Sequence, residues 1–145
     1  MSDTYTKLQY HLVFSTKQRA ALIQPPLRDE LYAYLGGILR GQGGILLAIG
    51  GMPDHVHLLA GIRPDMALAK MLQLLKANSS KWMNESTDRP GQFAWQAGYG
   101  AFSVSESKVP AVRTYILGQE EHHRTTSYEE EFQTLLRRHG LSNNE

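Results

Sequence analysis

Two strand-length apolar runs, residues 45–49 and 55–62, flank the connector Gly50-Gly51-Met52-Pro53-Asp54. A glycine-, proline- and aspartate-rich connector of that length between such runs reads as a β-hairpin. The hairpin lies in mid-chain with a helical pattern on each side, which limits the possible folds more than any other feature. Upstream, residues 4–15 alternate, with Leu8, Tyr10, Leu12 and Phe14 on one face and Lys7, Gln9 and His11 on the other. That is the pattern of a half-buried strand. Pro25-Pro26 then opens a helix carrying Leu27, Leu31, Leu35 and Ile38 at helical spacing. Gly36-Gly37 inside it costs about 1 kcal/mol per residue relative to alanine, so this helix leans on packing. The glycines from Gly41 to Gly44 end it.

Downstream, residues 66–84 form the clearest helix, with Leu68, Met71, Leu72, Leu75 and Trp82 on one stripe. A polar loop follows at residues 87–91. Phe93-Ala94-Trp95 and residues 100–105 each read as strand, with Gly98-Tyr99-Gly100 between them. Pro110 sits in the first turn of a third helix that carries Val112, Tyr115, Ile116 and Gln119. Ser127-Tyr128-Glu129-Glu130 has capping-box spacing and starts a last helix, faced by Phe132, Leu135 and Leu136 and ended by Gly140. The order β-α-β-β-α-β followed by helices predicts an α+β, ferredoxin-like (split βαβ) fold: an antiparallel sheet with helices on one face, plus C-terminal helices. One domain over residues 1–140 and a flexible tail over 141–145 are expected.

Composition narrows the chemistry. The 145 residues are 41% apolar and 20% charged, as in an ordinary soluble globule. No cysteine is present, which excludes disulfides, thiolate metal sites and a cysteine nucleophile. Residues 1–5 are polar rather than the start of a secretory signal, and no apolar run approaches the ~20 residues of a membrane span. A cytoplasmic location and no membrane partner are therefore expected. The net charge of +1 is nearly silent about partners. Lys17, Arg19, Lys70, Lys76, Lys81, Arg89, Lys108 and Arg113 fall in a stretch with few acids, whereas acids collect at Glu120-Glu121 and Glu129-Glu130-Glu131. A basic face opposite an acidic C-terminal helix and a set of ordinary solvated charges fit this equally well.

His55-Val56-His57 places two imidazoles on one face of a strand. Neutral imidazole is a common ligand for divalent metals. Val56, Leu58 and Ala60 can face the core, so neither histidine is needed to fill it. Tyr115 and Gln119, at i and i+4, share one side of a helix. By themselves they are equally a tyrosine at a helix surface or core edge with a neighbour. Beside a cation a phenol gains a role: its pKa near 10 falls next to positive charge. The metal polarises a phosphate, and a covalent phosphotyrosine stores the bond for rejoining. Tyr128 belongs to the helix-start motif and reads as structural, and Tyr99 sits in a glycine loop suited to close approach of a ligand. His122 and His123 diverge by about 100° on a helix, so at most one faces the metal, and surface placement is expected. His11 has the parity opposite Leu8 and Tyr10, near the sheet site. No P-loop, dinucleotide fingerprint or GxSxG elbow is present.

Four segments in order resemble the single-tyrosine transposases of small bacterial insertion sequences, including relatives associated with repetitive extragenic palindromes. These are HUH endonucleases, named for His-hydrophobe-His. The segments run from Tyr10 to Arg19, from Met52 to Leu59, from Gly98 to Ser105 and from Tyr115 to Arg124. The resemblance implies Tyr115 as nucleophile and His55, His57 and Gln119 as ligands of Mg²⁺ or Mn²⁺. It implies cleavage of single-stranded DNA with the 5′ phosphate kept on tyrosine, recognition of a hairpin near the cut, and a homodimer in which the tyrosine helix can complete either its own or the partner's histidine site. Lys17 and Arg19, which match the family pattern, and Lys76 and Lys81, from the acid-poor stretch, are the expected phosphate contacts. Three rivals remain at this point. One is a domesticated enzyme that processes chromosomal palindromes. Another is a non-catalytic ferredoxin-like module stacking bases on sheet aromatics. The third is a hydrolase of small phosphoesters using water activated at His55 and His57.

Overall fold

Ile45–Met52 (β2) and His55–Gly61 (β3) form the central hairpin, turning through Pro53 and Asp54. In the computed structural model, which describes residues 3–86 and 91–141, β3 pairs on its other side with Gln9–Ser15 (β1). Gly100–Ser103 (β4) completes the sheet against β1. The order is β2-β3-β1-β4 and every neighbouring pair is antiparallel.

Pro25–Gly41 (α1) and Leu68–Glu85 (α2) cover one face. Leu12, Phe14, Val56, Leu58 and Ala60 from the sheet meet Leu31, Leu35 and Leu39 of α1 and Met71, Leu72 and Leu75 of α2 in the main core. Gly36 repays its low helix propensity by close approach, since a Cβ there would lie 3.2 Å from Leu46 Cδ2. The opposite face carries a second helical layer: Val109–Leu117 (α3), Gln119–His122 (α4) and Tyr128–Arg138 (α5). Ile116 packs on Ala48 and Leu59, and Leu135 packs on Val13 and Phe102. The reciprocal Ser127–Glu130 capping box starts α5 as its spacing predicts.

Three local expectations need correction. β1 is covered on both faces rather than half-buried: from His11 to Ser15 every residue is buried. Its alternation is confined to the N-terminal end, because β1 is an inner strand and a second helical layer lies over it. Phe93-Ala94-Trp95 is not a strand of the sheet; only the isolated bridge Thr16–Trp95 forms. Trp95 instead packs edge-on to Phe14 at 4.7 Å and donates from Nε1 to Ser79 Oγ at 2.9 Å. The third predicted helix breaks at Gly118, so Tyr115 lies in the last turn of one helix and Gln119 begins the next. The loop expected at residues 87–91 lies, apart from Gly91, outside the described residues, as do Arg89 and residues 142–145. Among the described residues no helix is long and apolar enough to cross a membrane.

Candidate metal and nucleophile site

The strand period of two that sends Val56 and Leu58 into the core turns His55 and His57 toward the second helical layer. Both are fully buried there. His11 on β1 lies beside them, its Nε2 2.8 Å from His57 Nδ1. From the helices above come Tyr115, Gln119, His122, His123 and Glu131. Gly50 allows this layer to approach: a Cβ on it would lie 2.1 Å from the Ile116 carbonyl oxygen, so β2 and α3 touch backbone to side-chain-free backbone.

Glu131 is the hub, and it is buried. Its Oε1 lies 3.0 Å from His57 Nε2, 3.0 Å from His123 Nε2 and 3.3 Å from His55 Nε2. Its Oε2 accepts hydrogen bonds from the Tyr115 hydroxyl and, at 2.9 Å, from Gln119 Nε2. His122 Nε2 is 3.5 Å from Oε2. The bond from Gln119 Nε2 to Glu131 orients the amide, whose Oε1 then faces His55 Nε2 at 3.1 Å and His123 Nε2 at 3.0 Å. The outer nitrogens are anchored as well. His55 Nδ1 donates to Asp54 Oδ1 at 2.8 Å and His123 Nδ1 donates to the Thr126 carbonyl at 2.6 Å. Such outer partners fix the tautomer of metal-ligating histidines. The Tyr128 ring stacks obliquely against His55 at 4.5 Å, a packing position.

Burial and charge divide these groups. Burial opposes the Glu131 charge, but bonds from His55, His57 and Tyr115 outweigh it and hold the carboxyl well below its usual range. Burial also works against a charged His55, yet Asp54, Glu131 and Gln119 raise it to about 9. For His57 burial prevails over Glu131 and lowers it to about 4; burial and His57 lower His11 to about 3. Burial and then Glu131 push the Tyr115 phenol upward. Two groups could hold a metal among the described residues: His55, His57 and Glu131, and His122, His123 and Glu131.

The fold thus gathers His55, His57, Gln119 and Tyr115 at one place. It does not gather the four basic residues. Lys17 is exposed in the Lys17–Arg19 turn after β1, and Arg19 pairs with Glu129 at the head of α5. Lys76 donates to the Gln96 and Gly98 carbonyls, each at 2.7 Å, and Lys81 is exposed; both belong to α2, on the other side of the sheet. Surface placement does not hold for His123, which sits one turn beyond Gln119 and is enclosed with it, whereas His122 stays partly exposed. Glu131 escapes the sequence reading because it belongs to an acidic run. Its alignment with Tyr128 and Leu135, at i−3 and i+4, was the available signal. A groove of about 640 Å³ opens beside Tyr115, bordered by His11, Phe102, Lys108, Arg138 and His139.

Residues 4–119 match the family described as Transposase IS200 like. The chain is 29% identical over 118 residues to the ISDra2 transposase TnpA of Deinococcus radiodurans, spanning 78% of this chain and 84% of that protein. A crystallised Deinococcus radiodurans R1 protein described as a transposase superposes with a TM-score of 0.65 at 30% identity, over 80% of this chain and 93% of that one. A REP-associated tyrosine transposase bound to a REP hairpin shares the fold, with a TM-score of 0.60 at 13% identity, over 80% of this chain and 68% of that one. The family match ends at Gln119, so His123 and Glu131 lie beyond it.

Proposed function

The chain belongs to the IS200-like transposase family, and from that membership we propose that it cuts and rejoins single-stranded DNA through Tyr115. The observation that carries this reading is the Tyr115 hydroxyl bonded to a carboxylate that also meets His57, all within one chain. Tyr115 Oη attacks the scissile phosphorus and the bond to the 3′ oxygen breaks. The 5′ phosphate stays on tyrosine, and the 3′ oxygen leaves as a hydroxyl after taking a proton. In rejoining, a 3′ hydroxyl attacks the phosphotyrosine and the phenol is released. Glu131 orients the phenol; with its carboxyl held so low, it is a positioning acceptor rather than a strong base.

His55, His57 and Gln119 fit a divalent cation, Mg²⁺ or Mn²⁺, because His55 Nε2 faces the Gln119 amide oxygen at 3.1 Å and His57 Nε2 meets the same Glu131 carboxylate at 3.0 Å. When bound, the ion would polarise the phosphate and favour the phenolate. The groove beside Tyr115 gives the strand an approach, with Lys108 and Arg138 at its border; Lys17 and Arg19, in the turn after β1, would be phosphate contacts away from that groove. The hairpin bound by the REP-associated relative supports a hairpin-bearing substrate. In a homodimer each subunit would cut with its own tyrosine. Phe14 and Phe102 are buried, which counts against a base-stacking module.

The test uses labelled single-stranded hairpin oligonucleotides from the flanking DNA, with Mg²⁺ or Mn²⁺, on denaturing gels. A covalent protein–DNA band is expected for wild type and absent for Tyr115→Phe and His57→Ala. Tight binding without any adduct would favour the binding module.

A further inference from the structure

Five acceptor-capable atoms converge beneath α4 and α5: the Nε2 atoms of His55, His57 and His123, Gln119 Oε1 and Glu131 Oε1. Their separations run from 3.0 to 3.3 Å where they meet. Such distances ordinarily need a proton between each pair. His55 and His123 each carry a proton on Nδ1, because Asp54 Oδ1 and the Thr126 carbonyl can only accept, which leaves their Nε2 atoms turned to the cluster. Gln119 cannot supply one from Oε1, and its amide group is already turned to Glu131 Oε2. A cation placed among the five atoms would meet a donor atom from each of these side chains. Ligands bound at right angles about 2.1 Å from one ion stand about 3 Å apart, the spacing found here.

We propose that His123 and Glu131 complete the cation site, giving three imidazoles, one amide oxygen and one carboxylate oxygen, and that this set selects Mn²⁺ over Mg²⁺. The inference rests on the metal-dependent reading above and extends it to two residues outside the family-matched segment. The choice of ion follows from the donors. Mg²⁺ demands oxygen in near-ideal octahedral geometry, whereas imidazole suits transition ions. The single carboxylate binds through Oε1 and keeps Tyr115 on Oε2, so one side chain couples nucleophile to ion.

Direct binding of MnCl₂ and MgCl₂ to the full chain, by calorimetry and by Mn²⁺ electron paramagnetic resonance, tests this without activity. Wild type is expected to bind Mn²⁺ about 100-fold more tightly than Mg²⁺. Pulsed resonance should count three bound imidazole nitrogens, falling to two in His123→Ala. His123→Ala and Glu131→Gln should each weaken Mn²⁺ by about tenfold or more, with circular dichroism verifying the fold. The wild-type nitrogen count needs no variant. Two imidazoles in wild type, or Mn²⁺ binding lost in His57→Ala but unchanged in His123→Ala and Glu131→Gln, would overturn this inference and leave the three-residue site standing. No binding of either ion to wild type would overturn both.

Discussion

Glu131 serves His55, His57, His123, Tyr115 and Gln119 with one buried carboxylate. In chelator, Glu131→Ala strands the Tyr115 and Gln119 donors and the charge on His55. A loss on the order of 3 kcal/mol is expected in urea unfolding at pH 7; a loss below about 1 kcal/mol would mean that the carboxylate does not organise the site. His55-Val56-His57 was legible in the sequence because a strand period of two and a preceding hairpin suffice to place both rings. Glu131 was not, since a run of three glutamates at a helix start reads as solvated charge until the sheet face above which α5 lies is known. His123 was half-legible: it follows Gln119 by four residues, and only the break at Gly118 hides which way that turn faces.

At the scale of elements, α3 reaches the sheet only because β2 has no side chain at Gly50. Gly50→Ala should lift α3, lower stability by about 1–3 kcal/mol and reduce cleavage by moving Tyr115. An alanine variant with the wild-type urea midpoint and wild-type cleavage would contradict this contact. On α1, the Tyr32 hydroxyl is buried without a partner among the described residues, and burial raises its pKa to about 12. Unfolded tyrosine ionises near 10, so between about pH 10 and 12 the folded chain binds more protons and stability falls as pH rises. Tyr32→Phe should shrink the drop in urea midpoint between pH 9 and pH 11.5; an unchanged drop would place the alkaline sensitivity elsewhere. The helix periods of α1 and α2 were strong enough to read. The burial of β1 was not, because a strand's own alternation cannot report a layer supplied by helices a hundred residues later.

At the scale of the whole molecule, the sheet is enclosed by two helical layers, and the second one closes the site within a single chain. The element order was enough to predict the sheet and the first layer. The second layer's side of the sheet was beyond it, since the apolar stripes on α3 and α5 fit either face. A site complete in one chain makes a specific demand of any dimer. Mixing Tyr115→Phe with His57→Ala should restore no cleavage; recovered cleavage would mean that tyrosine and histidines come from different subunits.

Peptide mapping of the covalent adduct tests the central claim most directly. Wild-type protein is incubated with a single-stranded hairpin oligonucleotide and Mn²⁺, digested with protease and nuclease, and analysed by mass spectrometry. The account predicts one nucleotide-bearing peptide, with a 5′-phosphate ester on the Tyr115 oxygen and a free 3′ hydroxyl on the released strand. An ester on Tyr128 or Tyr99, or cleavage that leaves every tyrosine unmodified, would contradict it.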